Sequence, residues 1–352
     1  MPDTLTKLTY QTFQQSKSFF SLAHKTVSLQ LRSFLYPTLN QKSKPIPNEV
    51  LLKFQERLNQ LLEIDWQDAE NGIYPKSLLF ENSWEDFFRY YPLVLLDLPQ
   101  IWERANQEKY QDFSPEIDTD GYPSYYVQNF HHQSGGYLSD LSASLYDLQV
   151  ELLFNGTADL MRRRILAPLK NGLKTFESVS PRQVRILDVA CGTGRTLKLI
   201  RAALPQASLF GTDLSPAYLC KANELLSQIS GVLPQLLQAN AEELPYLDNY
   251  FHAVTSVFLF HELPASVRQL VIEQCFRVTK PGGVFIICDS VQLSDSLEMK
   301  PLMDAFPENF HEPYYRHYIT DNLVERLEKA GFVNIEIQIH FASKYLIAYK
   351  PV

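Results

Sequence analysis

The sequence predicts an α/β fold, in which a doubly wound, mainly parallel seven-stranded sheet follows a mostly helical N-terminal region. From about residue 145, short apolar runs alternate with helix-length segments, a pattern typical of a parallel sheet covered by helices. The chain then ends in two strand-like runs, 333–340 and 345–349, with no helix between them. These runs predict a terminal antiparallel hairpin.

The remaining strands follow from short apolar segments bounded by turn residues. A helical segment over 145–154 and 159–169 precedes them, and the chain divides accordingly into an N-terminal unit, residues 1–144, and a C-terminal unit, residues 145–352. The predicted strands are 184–189, 208–213, 236–240, 253–258 and 284–289, and the helices lie near 195–204, 216–230, 265–279 and 320–330.

The N-terminal unit begins with a basic segment. Residues 1–44 contain six lysines and arginines but one acidic residue, Asp3. Apolar side chains recur at helical spacing over residues 13–35, and Tyr36-Pro37 ends the pattern. Such a helix either packs on the rest of the protein or makes peripheral contact with an anionic membrane. Further along, residues 114–137 carry Pro, Gly, Tyr and His without periodicity, which indicates an irregular loop.

The composition excludes several classes of protein. With 352 residues and 45% hydrophobic side chains, the chain has enough apolar material for a packed core. The net charge of −8 disfavours binding to nucleic acid. No apolar run reaches the ~18 residues of a membrane span, and four cysteines without a CxxC pair predict reduced thiols. We therefore expect a cytoplasmic protein, of unknown oligomeric state.

The first predicted strand leads into a glycine loop. Residues 184–195 read Val-Arg-Ile-Leu-Asp-Val-Ala-Cys-Gly-Thr-Gly-Arg, so the strand ends near Asp188. Gly192 and Gly194 supply a backbone that a ligand can approach closely. An acid at this position, with no third glycine downstream, suits an ammonium-bearing ligand better than the pyrophosphate of a dinucleotide.

The next two strand ends carry groups that suit adenosine. Asp213 ends the second strand and can accept hydrogen bonds from both hydroxyls of a ribose. The third strand ends in Asn240-Ala241, and the amide of Asn240 can accept from an exocyclic amine and donate to a ring nitrogen of adenine. The three strand ends together predict a site for an adenosine-containing ligand.

Five segments resemble, in order, motifs of the class I S-adenosylmethionine-dependent methyltransferases. They are 188–194, 213–214, 240–246, 258–264 and 280–283, and the likeness extends over about residues 145–350. The resemblance is to the methyltransferase type 11, ubiquinone/menaquinone-methyltransferase-like branch. It implies a Rossmann-like fold and S-adenosyl-L-methionine as cofactor, bound by Tyr146, Asp188, Ala190, Gly192, Gly194, Asp213, Leu214, Asn240, Ala241 and Phe258.

Three histidines are candidates for catalysis. His261 follows the fourth strand, near the methyl end of the cofactor, where it either orients its loop or acts as a base or substrate-orienting group. Residues 290–319 lie over the carboxyl ends of the strands, and His311 and His317 in this segment are further candidates. The alternative is that this segment is a packed lid.

Two other polar features are weaker candidates for a role in catalysis or metal binding. Asp289 at the end of the fifth strand is more readily a cap than a catalyst. His131-His132 has no acidic or cysteine partner at ligand spacing, so no metal site is predicted.

The resemblance implies an enzyme that transfers a methyl group by in-line displacement, with proximity and desolvation as its main contributions. We predict that the acceptor is an O or C of a hydrophobic or aromatic small molecule and that residues 1–144 cap its pocket. Two alternatives remain open: a protein or RNA methyltransferase that uses residues 1–144 for recognition, and a non-catalytic S-adenosylmethionine-binding interaction protein.

Overall fold

The computed structural model describes residues 2–36, 46–81 and 84–352. Six helices of this part of the chain precede the sheet. They are α1 (Pro2–Leu35), α2 (Asn48–Glu70), α3 (Trp84–Gln107), α4 (Asp140–Leu153), α5 (Ala158–Arg163) and α6 (Leu166–Gly172).

Among the described residues, seven strands form one sheet with the order β3-β2-β1-β4-β5-β7-β6. Pairing is parallel from β3 through β5 and antiparallel between β5, β7 and β6, which confirms the predicted fold class and the terminal hairpin. The strands are β1 (Arg185–Val189), β2 (Ser208–Asp213), β3 (Gln235–Gln238), β4 (Phe251–Val257), β5 (Thr279–Ser290), β6 (Val333–His340) and β7 (Ser343–Tyr349).

The helices that follow β1 mostly cover the sheet or lie above its carboxyl edge. They are α7 (Arg195–Ala203), α8 (Pro216–Ser227), α9 (Ala265–Val278), α10 (Lys300–Asn309), α11 (Tyr315–Tyr318) and α12 (Leu323–Ala330).

Local capping shifts several element boundaries from their predicted positions. Ser139 caps α4 by accepting from the Ser142 N–H, so this helix begins before residue 145 and spans the predicted division of the chain. Asn322 caps α12 in the same way, later than predicted. Strand β3 ends at Gln238, which leaves Asn240 in the loop that follows.

The N-terminal helices pack on one face of the sheet. Tyr10 of α1 and Trp66 of α2 are buried in the same apolar cluster as Ile186 of β1 and Ile347 of β7. A second cluster, between α9, α12 and the opposite face, completes the core. The described part of residues 1–144 therefore shares its core with the sheet.

A buried carboxylate, that of Asp65, connects two N-terminal tyrosines with Arg163 of α5. Asp65 accepts from the Tyr10 hydroxyl at 2.6 Å and from the Tyr74 hydroxyl at 2.7 Å. It also accepts from Arg163, from Nε at 2.8 Å and from Nη2 at 2.7 Å. Because the carboxylate and the guanidinium are both almost completely buried, the charge of each is compensated mainly by the other.

Helix α1 has one packed face and one exposed face. Gln14, Ser21 and His24 are buried, whereas Phe19 and Phe34 are largely exposed. The helix ends at Leu35, as Tyr36-Pro37 predicts, although Pro37 itself lies outside the described residues. None of the described helices is long and apolar enough to span a membrane.

Candidate active site

A cavity lies at the carboxyl ends of β1, β2 and β4, beside the point where the strand order reverses. The loops after these strands form its floor, and part of the N-terminal unit covers it. The residues around it include Tyr125, Tyr126, Tyr137, Tyr146, Ala190, Gly192, Asp213, Leu214, Asn240, Ala241, Phe258 and Glu262. Eight of the ten residues predicted to bind the cofactor line this cavity, which we call the cofactor cavity.

Glycine is needed at the two predicted positions of the loop after β1 for different structural reasons. Both have positive φ, +53° at Gly192 and +81° at Gly194. A Cβ on Gly192 would meet only the Tyr218 ring, at 3.9 Å, so the missing side chain leaves space in the cavity. A Cβ on Gly194 would lie 3.1 Å from Ala222 of α8, so this glycine permits close helix packing. Gly194 does not line the cavity.

The Asp213 side chain connects the loops that follow β1 and β2 through hydrogen bonds. Its carboxylate accepts from the Gly192 N–H at 2.8 Å and from the Ser215 N–H at 2.9 Å. Burial raises the pKa of this carboxyl above its usual value, and these backbone donors partly offset the effect. The carboxylate is thereby held in a fixed position at the wall of the cavity.

Asn240 is fixed by its own loop. Its Oδ1 accepts from the Glu242 N–H at 3.0 Å, and its Nδ2 donates to the Glu242 side chain at 3.2 Å. Glu242 in turn accepts from the Tyr125 hydroxyl at 2.7 Å. The N-terminal unit and the loop after β3 therefore meet at the edge of the cofactor cavity.

Asp188 lies beneath the glycine loop and outside the lining of the cavity. It is 1% exposed, and its Oδ1 accepts from the Thr255 hydroxyl at 2.7 Å. Burial raises the pKa of Asp188 to about 7. A positively charged ligand group near this carboxyl would favour its ionised form.

The charges around the cofactor cavity suit a cationic adenosine ligand. None of the described residues that line it is basic, whereas Asp213 and Glu262 are acidic. A pyrophosphate would lack positive partners there, but a sulfonium and an ammonium group would meet carboxylates. The open space at Gly192 and the apolar surfaces of Leu214 and Ala241 complete a fit to S-adenosylmethionine.

A second cavity, of about 320 Å³, adjoins the first, and we call it the substrate cavity. Tyr146, Phe258 and Glu262 line both. Its other walls come from α1, α2, α4, α10 and the loop after β5, and they are mainly apolar. They include Leu51, Phe54, Val150, Leu153, Phe154, Met299, Leu302, Met303 and Phe306.

His261 lies in the wall of the substrate cavity and is paired with Asp289. The distance from His261 Nδ1 to Asp289 Oδ1 is 2.7 Å. Asp289 also accepts from the backbone N–H groups of Phe260 and Ser290, both at 2.7 Å. Burial alone would lower the pKa of His261, but the charge and the hydrogen bond of Asp289 raise it to about 10. His261 therefore holds a proton at neutral pH.

Glu262 lies where the two cavities meet. Tyr137 donates a hydrogen bond of 2.5 Å to its Oε1, and His261 Nε2 lies 3.9 Å from the same oxygen. Burial, and then the negative charge of Glu312, raise the pKa of Glu262 to about 7. A carboxylate with this pKa can accept a proton near neutral pH.

The two other predicted catalytic histidines lie outside both cavities. The ring of His311 stacks on Tyr110 with centroids 4.0 Å apart, and its Nε2 is 2.7 Å from Gln128 Oε1. His317 is exposed, with Nδ1 3.0 Å from Arg268 Nη1. Their catalytic roles stay predictions without support from this geometry.

Sequence reasoning predicted that residues 1–144 cap the pocket and that residues 114–137 form an irregular loop, but it named no site residue in this segment. Tyr125 and Tyr126 cover the cofactor cavity, and His131 lines the substrate cavity. The density of tyrosine and histidine in an aperiodic segment was the available signal. Glu262 lies within the predicted motif segment 258–264 but was not predicted as a site residue.

One group among the described residues combines the ligand types of a metal site. Single atoms of His131, Glu262 and Glu312 all lie within 4.8 Å of one another. His131 Nε2 and a Glu312 oxygen are in direct contact and form an ion pair when His131 is protonated. This arrangement is that of paired charges rather than of an open coordination sphere.

The topology and the cofactor cavity define a class I S-adenosylmethionine-dependent methyltransferase. A family model described as a methyltransferase domain matches residues 186–283. An uncharacterized methyltransferase of Synechocystis sp. is 30% identical over 163 residues, which cover 46% of this chain and 73% of that protein. The chain therefore belongs to this family and is an enzyme that uses S-adenosylmethionine.

Relatives of the ubiquinone/menaquinone branch are also similar. The ubiquinone/menaquinone biosynthesis C-methyltransferase of Burkholderia orbicola is 27% identical over 216 residues, which cover 53% of this chain and 87% of that protein. The demethylmenaquinone methyltransferase of Shouchella clausii is 38% identical over 107 residues, 30% of this chain and 45% of that protein. These similarities support the resemblance of the chain to this branch.

The raised pKa of Asp188 predicts how the Asp188→Asn substitution changes stability. The folded protein binds this proton more tightly than the unfolded chain, so stability falls as the pH rises from about 4 towards 7. Asn keeps the acceptor for Thr255 and cannot ionise. We expect the variant to gain about 2 kcal/mol in the free energy of unfolding at pH 8 and little at pH 4.

Urea unfolding at the two pH values measures this difference, and calorimetry with S-adenosylhomocysteine measures the expected loss of cofactor affinity. Asp248→Asn is the control, because the Asp248 side chain is 69% exposed. An equal change in stability at both pH values would contradict the assignment of the shift to Asp188.

Proposed function

We propose that the protein transfers the methyl group of S-adenosylmethionine to an oxygen or carbon of a hydrophobic small molecule bound in the substrate cavity. The observation that carries this proposal is the shared wall of Tyr146, Phe258 and Glu262 between the two cavities. When bound, S-adenosylmethionine supplies an electrophilic methyl group on a sulfonium. The protein has to hold a nucleophile in line with that group and away from water.

The substrate cavity favours an apolar acceptor of moderate size. Its walls are mostly aliphatic and aromatic, and burying an apolar ligand there yields about 25 cal/mol per Å² removed from water. The Burkholderia relative is named a C-methyltransferase, which supports a carbon acceptor. An oxygen acceptor fits the same wall, because both nucleophiles need a proton acceptor nearby.

We assign proton transfer to Glu262. A hydroxyl or an acidic C–H must lose a proton as its bond to the methyl carbon forms and the bond from sulfur to that carbon breaks. Glu262 can receive this proton, since its pKa is near neutrality and it borders both cavities. Tyr137 holds the carboxylate in place, and His261, protonated through Asp289, can donate to an oxygen of the acceptor.

The cofactor itself would be held by the three strand ends. In this assignment Asp213 accepts from the ribose hydroxyls, Leu214 and Ala241 pack on the adenine, and Asn240 binds its edge. Asp188 acts from beneath the loop by favouring a cationic group. The lining of the cofactor cavity supports each position except Asp188, whose support is its burial under the glycine loop.

Residues 1–144 would act as a cap over both cavities. Tyr125, Tyr126 and Tyr137 close the cofactor cavity, and Lys25 and Leu51 lie in the wall of the substrate cavity. The exposed Phe19 and Phe34 of α1 support the membrane contact predicted for residues 13–35. An acceptor taken from a lipid phase would be consistent with this surface.

Transfer of radiolabelled methyl groups tests the proposal. The protein is incubated with methyl-labelled S-adenosylmethionine and a cell extract, which is then separated into organic-soluble, protein and RNA fractions. We expect label in the organic-soluble fraction. Label in protein or RNA would instead support a macromolecular acceptor recognised by residues 1–144. Tight binding of the cofactor with no transfer to any fraction would support a non-catalytic binding protein.

A further inference from the structure

The substrate cavity contains a second histidine–carboxylate pair, which comes from outside the family-matched segment. His131 lines the cavity, and its Nε2 contacts an oxygen of Glu312. The Glu312 side chain is completely buried. Neither of its carboxylate oxygens has a hydrogen bond to any described residue that meets normal geometry. The charge of Glu312 is therefore compensated mainly by His131.

This arrangement favours the protonated form of His131. Burial alone would lower the pKa of its imidazole, but the charge and contact of Glu312, and then the charge of Glu262, raise it above the ordinary value. Both nitrogens of an imidazolium are donors. Because Nε2 is turned to Glu312, Nδ1 is the nitrogen left for a hydrogen-bond acceptor.

Contacts with the segment that carries His311 and Glu312 hold His131 in this position. The backbone of His131 is left-handed, with φ +55° and ψ +19°, and the next residue, His132, has φ +58°. Two consecutive non-glycine residues in this region are unusual and need surrounding contacts to maintain them. The His131 N–H donates to the carbonyl of His311 at 3.3 Å, which joins this turn to the segment that carries Glu312.

His131 and the proposed proton acceptor lie side by side. Atoms of His131, Glu262 and Glu312 are all within 4.8 Å of one another, and His261 is adjacent to Glu262 in the chain. A methyl acceptor that loses a proton to Glu262 therefore has a hydrogen-bond donor, His131, a short distance away.

We propose that His131, held by Glu312, binds a second oxygen of the methyl acceptor, so that the acceptor is an aromatic or enolic molecule whose second oxygen lies close to the group that Glu262 deprotonates. This inference rests on the proposed function, and it assigns to the N-terminal unit a residue that contacts substrate. Glu312 is a positioning residue, since it acts through the charge and orientation of His131.

Binding of two probe molecules tests the proposal without requiring methyl transfer. The affinities of 2,3-dihydroxynaphthalene and 2-naphthol are measured by calorimetry on the full-length protein saturated with S-adenosylhomocysteine. A hydrogen bond to a charged group contributes about 1.5–3 kcal/mol, so we expect the diol to bind at least about tenfold more tightly. His131→Asn and Glu312→Gln should largely abolish this preference.

The matched control is His132→Asn. His132 has the same backbone conformation and residue type as His131 but does not line the cavity, and asparagine tolerates left-handed backbone. This variant should keep the preference for the diol, whereas a merely structural role for the turn would make the variants at 131 and 132 behave alike.

Several results would overturn the proposal. They are equal affinity of the wild-type protein for both probes, no binding of either probe, and a preference that persists in His131→Asn. Retention of one Mn²⁺ or Zn²⁺ per chain after dialysis, lost in Glu312→Gln, would also overturn it, because the cluster would then be a metal site. The radiolabel experiment reports separately on methyl transfer, so failure of that function is distinguishable from failure of this recognition.

Discussion

Replacing Glu262 by glutamine is expected to lower the rate of methyl transfer by about 10²–10⁴-fold, the usual contribution of a positioned proton acceptor. Glutamine keeps the size of the side chain and an oxygen that can accept from the Tyr137 hydroxyl, but it cannot take up a proton. The affinity for S-adenosylhomocysteine should change far less than the rate, because ribose and adenine are assigned to other strand ends. The rate is measured as labelled product in the organic-soluble fraction.

The pH dependence of the methyl-transfer rate gives a second test of Glu262→Gln. The carboxyl of Glu262 accepts a proton only when ionised, and its pKa is raised to about 7. The wild-type rate should therefore rise with pH through about 7, and this rise should be absent from the residual activity of Glu262→Gln. The control is Glu273→Gln, an exposed position on α9. A variant at 262 that retains full rate and the wild-type profile would exclude Glu262 as the proton acceptor.

Replacing Asp65 by asparagine is expected to lower the free energy of unfolding by about 3–5 kcal/mol, the cost of removing one partner of a buried ion pair. Arg163 would keep its charge in a buried position. The carboxylate that accepts hydrogen bonds from its Nε and Nη2 would be replaced by a neutral amide. The hydroxyls of Tyr10 and Tyr74 would compete for the one remaining acceptor oxygen. Urea denaturation followed by tryptophan fluorescence measures the loss.

A neighbouring acidic residue provides the control for Asp65. Glu63, on the same helix, pairs with Lys7 of α1, but its side chain is 42% exposed. Exposed ion pairs contribute about 0–1 kcal/mol, so Glu63→Gln should be nearly neutral. Similar losses at 63 and 65 would mean that the loss does not come from the buried charge at 65.

The local pattern of apolar residues along the sequence was sufficient to predict the sheet. The apolar runs predicted each strand within a few residues, and the absence of a helix between 333–340 and 345–349 predicted the hairpin. Errors of position arose where a single side chain decides the boundary, as Ser139 does for α4 and Asn322 for α12. Strand β5 begins at Thr279, before the predicted start at residue 284, because the motif segment 280–283 is part of the strand.

The acid–base groups were harder to predict, because their proximity depends on long-range contacts. His131 and Glu312 are far apart in the chain, and neither has a partner at a spacing that indicates metal binding or catalysis. Histidine content in residues 290–319 drew attention to His311 and His317, whereas the group of this segment that pairs with a cavity residue is Glu312. Periodicity reports which face of an element is buried, but it does not report which distant segment covers that face.

The tyrosine cover of the cofactor cavity has a consequence for turnover. Tyr126 and Tyr137 are held over the cavity by stacking on Tyr122 and Phe130, and Tyr125 is tied to Glu242. We expect spent cofactor to be exchanged for fresh cofactor only when this segment is displaced. Each catalytic cycle would then include an opening step, and the frequency of opening would set an upper limit on kcat however fast the chemistry is.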